Sequence, residues 1–185
     1  MTRDDAWALL TEHTKSESLR KHALAVEATM RHFARANGED EETWAITGLL
    51  HDFDYERDPG GHPQNGKPIL EQAGVPGPIV HAIQTHGDHL GIPRVTAMEK
   101  TLYAVDELTG FIAAVALVRP SKRVADVDAA AVRKKMKDKA FARAVGRDAM
   151  LRGASDLGVE FDALVGEVVR AMTAEAAAIG LAGAS

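Results

Sequence analysis

Nowhere does the sequence alternate apolar and polar residues in the two-residue rhythm of a strand for more than four residues, whereas a 3.6-residue rhythm recurs almost throughout. That pattern predicts an all-α chain of about eight or nine helices. End signals divide it. Thr2 and Asp5 form a capping-box pair ahead of Trp7, Leu9 and Leu10. Ser16 suits the cap of a helix that runs to Asn37 and stops at Gly38. Asp40 opens a third helix through Trp44, Ile46, Leu49 and Leu50. From Asp54 to Pro68 the chain is too rich in Gly and Pro for a helix and reads as its longest loop, a candidate rim or lid. Helical pattern resumes at Ile69–Gln72 and after Pro78, and Thr96 with Glu99 caps a helix over Ala97–Val118. Shorter helices are predicted at Ala129–Met136, Lys139–Val145 and Arg147–Leu157, with a last one from Phe161 towards Ile179.

The 185 residues suit one domain, with a motif-bearing core at about 16–122 followed by C-terminal helices over 123–180. Cysteine is absent, which excludes disulfides, thiolate catalysis and Cys-type metal sites, so any metal must sit on nitrogen and oxygen ligands. The N-terminus, MTRDDAWALL, carries acids where a secretory signal needs an apolar run. The most apolar stretch, Leu108 to Val118, is far shorter than the roughly 20 residues of a membrane span. A cytoplasmic protein without membrane segments is expected. The net charge of −5 argues against a nucleic-acid partner, although Arg119 to Arg147 holds ten Lys or Arg against three Asp. Such a run is either a solvated face or a rim that faces phosphate.

Three places carry candidate chemistry. His51 and Asp52 adjoin at a predicted helix end, and a ring nitrogen beside a carboxylate suits a divalent ion such as Mn, Fe, Co, Ni or Zn. His22 lies at the edge of the apolar stripe Leu19, Ala23, Val26, Met30 and Phe33; it is either a ligand or a core histidine satisfied by a carbonyl. Asp106 stands in TLYAVDELTGFIAAVALV, a helix apolar nearly all round and lacking any Lys or Arg. A carboxylate there is costly to bury unless a cation or strong donors meet it. Its neighbour Glu107 is free to point outward.

The order His22, then His51–Asp52, then Asp106, each on a helix, resembles the HD superfamily of metal-dependent phosphohydrolases. The strings GLLHDFDYERDP, AIQTHGDH and EKTLYAVDELTGFIAAVALVRPSK further resemble a subgroup of small HD hydrolases. The resemblance implies a single-domain HD-type helical bundle whose divalent metal is held by His22, His51, Asp52 and Asp106. Some members carry two ions bridged by the motif aspartate, and His62 and His86 occupy comparable places for a second. His86 follows Ile79, Ala82 and Ile83 on one helix face and so points inward, while His62 lies in the loop. His13, His32, His81 and His89 read as ordinary histidines. Where many HD enzymes have a basic residue after the motif, this chain has Phe53, Asp54, Tyr55 and Glu56. Asp54 then either orients a ligand histidine or a water, or merely starts the loop.

The activity implied is hydrolysis of a phosphate ester of a nucleotide or other small metabolite, with Asp52 and Asp54 as catalytic candidates. A divalent ion, Mg included, activates a water and neutralises charge on the phosphoryl oxygens. Lys122 and Arg123, just after the Asp106 helix, would bind the phosphate. Two other readings stand beside it: a metal-binding sensor module without turnover, and a di-iron oxygenase.

Overall fold

The computed structural model describes residues 1–183 and contains no strand among them, only an isolated antiparallel bridge between Arg123 and Ala182. Among these described residues nine α-helices follow one another, and the fold is all-α as the periodicity predicts. It divides into two compact units, Met1–Leu102 and Tyr103–Ser185, and the division falls inside helix α6 (Ala97–Leu117), which is continuous. No helix of the described residues is long and apolar enough to cross a membrane.

The first unit contains α1 (Arg3–His13), α2 (Glu17–Asn37), α3 (Glu41–Leu50), α4 (Lys67–Gln72) and α5 (Gly77–His86). The sequence caps are present. Thr2 and Asp5 form the reciprocal capping box, Ser16 and Asp40 accept from the amides of Leu19 and Thr43, and Gly38 ends α2 at φ 70°. α3 is buried from Trp44 to Leu50 because it packs against α2, α1 and α5. Gly48 permits the close approach: a Cβ there would stand 2.8 Å from the carbonyl oxygen of Val26 and 2.9 Å from the Met30 side chain. Below it Leu49, Leu50, Phe53, Leu70, Ile79 and Ile83 form the core that fixes the ends of α3 and α5.

The loop expected from Asp54 to Pro68 is a tight succession of turns rather than an open excursion. Asp58 accepts from the Gly61 amide and from Asn65, a 3-10 turn covers Gln64–Gly66, and α4 begins at Lys67. Gln84 of α5 donates to the carbonyl of Pro63 at 2.8 Å, tying the turns to that helix. On the other side the Thr14 hydroxyl donates to the carbonyl of Phe53, and Glu56 accepts from the amides of Lys15 and Ser16. α6 opens with the capping box of Thr96 and Glu99.

In the second unit α7 (Ala129–Met136), α8 (Arg147–Leu157) and α9 (Phe161–Ala174) follow the rest of α6. Gly153 lets α8 touch α6, since a Cβ there would lie 2.5 Å from the Cα of Ala104. The helix expected over Lys139–Val145 is absent; those residues make turns. Arg147 holds these turns together, its guanidinium donating to the carbonyls of Asp138, Phe141, Ala142 and Val145. Its cation also lies 5.2 Å from the ring centre of Phe111. The last helix ends at Ala174, short of the expected Ile179, and turns follow.

Two stability measurements probe this packing. Gly48→Ala should lower the melting temperature although alanine favours a helix by about 1 kcal/mol over glycine. The contact it creates is with backbone, and overpacking of that kind costs about 1–3 kcal/mol. The second concerns Glu99, nearly fully buried, whose carboxylate accepts from the amides of Val95 and Thr96 and from His81 Nδ1. Burial pushes its pKa up, but those donors outweigh burial and hold it below the ordinary 4.5. A carboxyl depressed by folding stabilises the fold above its unfolded value and loses that contribution as pH falls through the folded one. Glu99→Gln should therefore melt lower than the parent near neutral pH, with the gap closing in melts recorded below about pH 4.5.

Candidate metal centre

Two of the histidines singled out in the sequence stand at helix C-termini. His51 is the C-cap of α3 and His86 the last residue of α5. Each turns its Nδ1 back onto the carbonyl three residues earlier, His51 onto Gly48 at 2.8 Å and His86 onto Ile83 at 2.5 Å. A carbonyl only accepts, so Nδ1 carries the hydrogen in both rings and a neutral ring keeps its lone pair on Nε2. His62 reaches the same state by another route. Its Nδ1 lies 2.6 Å from Oδ1 of Asp54, a buried carboxylate, which likewise leaves Nε2 as the ring's other face.

All three Nε2 atoms face Asp52. His51 Nε2 is 3.3 Å from Oδ2, His62 Nε2 is 3.0 Å from Oδ1, and His86 Nε2 is 3.5 Å from Oδ1. His22, on α2, adds a fourth ring 3.8 Å from Oδ2. The carboxylate is thus divided, one oxygen towards His22 and His51 and the other towards His62 and His86. Two sets of side chains are grouped tightly enough to hold an ion, each with its ligand atoms within 4.8 Å of one another: His22, His51, Asp52 and Asp106, and Asp52, His62 and His86. Asp52 belongs to both. Asp106 is carried on α6, one helical turn past Leu102, and is half-buried among the buried positions Val105 and Leu108.

The electrostatics suit a cation. Burial pushes the Asp52 carboxyl up, but His51, His62 and His86 more than reverse this and hold it well below the usual carboxylate range. Burial pulls His62 down, and Asp52 and Asp54 outweigh it, raising the imidazole to about 9. His62 Nε2 and His86 Nε2 are 3.0 Å apart. With both Nδ1 atoms committed as donors, two Nε2 lone pairs at that distance repel unless a proton or a metal ion meets them. Two helix C-termini, where backbone partial charge is negative, add to the attraction for positive charge. The residues present therefore fit a divalent metal ion on nitrogen and oxygen donors.

The other residues of interest fall as follows. Asp54 is buried against His62 and Gly66. Glu107 lies near Gly146, where a Cβ would be 3.4 Å from its Oε1. Lys122 and Arg123 are exposed in the second unit, Lys122 at φ 49° and Arg123 bridged to Ala182. His13 sets its ring edge-on to Phe53, His32 to Phe33, His81 meets Glu99 and His89 meets Gln64. Sequence reasoning missed the supports: the Gly48 and Ile83 carbonyls, Gln84, and Gly66. The first two had a local signal, a histidine in the last turn of a helix, where carbonyls three residues back lack helical partners. Gln84 and Gly66 had none, because their partners lie 21 and 12 residues away in Pro63 and Asp54.

No curated protein and no solved structure matches the chain significantly. The sequence profile of the HD domain, a family made up mostly of metal-dependent hydrolases, matches residues 19–130. That span contains every histidine and aspartate of both ligand groups and more than half of the chain, and the protein belongs to the HD-domain family.

Proposed function

We propose that this protein hydrolyses a phosphate ester of a nucleotide or other small metabolite, using divalent ions held by His22, His51, Asp52 and Asp106 and, beside them, by Asp52, His62 and His86. The observation that supports this most is the common orientation of three imidazoles, each with Nδ1 on an oxygen acceptor and Nε2 turned to one carboxylate. Divalent ions supply activation of a water and neutralisation of charge on the phosphoryl oxygens.

The chain's own residues do the positioning. Asp52 turns one oxygen towards His22 and His51 and the other towards His62 and His86, so this one carboxylate would serve both ligand groups. His51 and His86 are oriented by backbone carbonyls at Nδ1, which would leave their Nε2 atoms available to a cation. Asp106 would bring a second carboxylate, and the two aspartates together would offset part of a cation's charge. Lys122 and Arg123, exposed at the start of the segment rich in Lys and Arg, are the proposed contacts for the substrate's phosphate.

Metal analysis of freshly purified protein and phosphate release from a panel of phosphate esters test this together. The expected result is bound divalent metal and release of inorganic phosphate from at least one ester. His51→Ala should lose metal and lower kcat/KM by at least about 100-fold, the loss that follows removal of one electrostatic stabiliser of a transition state. His32→Ala, a change beside Phe33 on α2, should leave both unaltered. Metal-loaded protein that binds phosphate compounds yet releases none would identify a sensor module instead. Oxygen-dependent turnover with iron would identify the oxygenase.

A further inference from the structure

We infer that Asp54 is a positioning residue, its carboxylate holding the His62 ring so that Nε2 faces Asp52 and His86, in a cradle that only a glycine at position 66 leaves open. The inference rests on the two-ion reading above and names the residue on which its second ion depends.

Among the four histidines around Asp52, His62 is the one neither within a helix nor at its cap. His51 and His86 take their orientation from the carbonyls of their own helices, whereas His62 sits in the turns between α3 and α4. Its ring has one side-chain anchor on the Nδ1 side, Asp54 Oδ1 at 2.6 Å. An ionised carboxylate only accepts, so this contact selects the ring form with hydrogen on Nδ1 and directs Nε2 to Asp52 Oδ1 and His86 Nε2, each 3.0 Å away. Carboxylates behind metal-bound histidines orient the ring and raise its basicity in this way.

Asp54 is built into that place. It is 3% exposed, and its Oδ2 accepts no hydrogen bond among the described residues. Burying a carboxylate with one oxygen unsatisfied is costly. Gly66 accounts for the space: a Cβ on it would stand 2.4 Å from Asp54 Oδ2 and 2.9 Å from the Phe53 ring. Its backbone φ is −73°, open to any residue, so the glycine is needed for room and not for conformation. With both oxygens enclosed, Asp54 acts through His62.

The test is an equilibrium titration of the chelator-stripped full chain with Zn²⁺ alone, read by calorimetry, with ¹⁵N spectra of labelled histidines recorded at each step. The parent protein should take up two ions per chain. Asp54→Ala should weaken the second step by about 10–100-fold and leave the first in place, the usual cost of losing such an orienting partner. Gly66→Ala, which alters no polar group, should weaken the same step. Asp54→Asn keeps the size and one acceptor and should give a smaller loss of the same kind, so the inference stays testable if the alanine variant fails to fold. In the parent spectra the His62 signals should report hydrogen on Nδ1 with zinc bound, and Asp54→Ala should disturb them while those of His51 keep their positions. One uptake step or none in the parent overturns the two-ion reading and this inference with it. Two steps in the parent that are unchanged in Asp54→Ala, or weakened equally, overturn the inference alone.

Discussion

Two imidazole nitrogens 3.0 Å apart, His62 Nε2 and His86 Nε2, set the terms for the first unit of this protein. Each ring has its other nitrogen committed as a donor to an oxygen, so neither ring while neutral can turn a hydrogen to the other without breaking a buried contact. Such a pair is stable only around positive charge. Asp52 lies against both, and also against His51 and His22, so one carboxylate is faced by rings from α2, from the ends of α3 and α5, and from the turns after α3.

The rest of the first unit can be read as the framework for that convergence. α3 packs against α2, α1 and α5, and Gly48 allows it to press on the backbone at Val26, one turn beyond His22. The His22 and His51 rings consequently meet at 5.2 Å between centres. At the other end, Leu49, Leu50 and Phe53 pack with Ile79 and Ile83, which sets the C-terminus of α3 beside that of α5. The turns after α3 are bound on both flanks, by Thr14 and Glu56 towards α1 and α2 and by Gln84 towards α5. Polar contacts hold the turns where an apolar helix face would otherwise be needed, and they enclose Asp54 with His62.

Much of this was legible residue by residue. The caps at Thr2, Ser16, Asp40 and Thr96 and the glycine stop at Gly38 read correctly because capping is a contact between residues three or four apart. Asp106 stood out because a carboxylate in an apolar helix without Lys or Arg conflicts with its surroundings. The segment Lys139–Val145 misread for the opposite reason. Its pattern is helical, but it forms turns that Arg147, just downstream, holds by their carbonyls while lying against Phe111 of another helix. For Asp54 the loop composition says nothing about which way the side chain turns.

The sequence by itself determined the helical class, most helix ends and the family, because these depend on periodicity, on short-range hydrogen bonds and on the spacing of a few residue types along the chain. Only the tertiary structure decided that Asp52 divides its two oxygens between two groups, that His62 is enclosed rather than exposed in a loop, and that Asp54 reaches it. Those facts depend on the angle at which α3 meets α2 and α5 and on the space beside Gly66. Both are set by how distant residues fill volume together, and no local stretch of sequence contains that information.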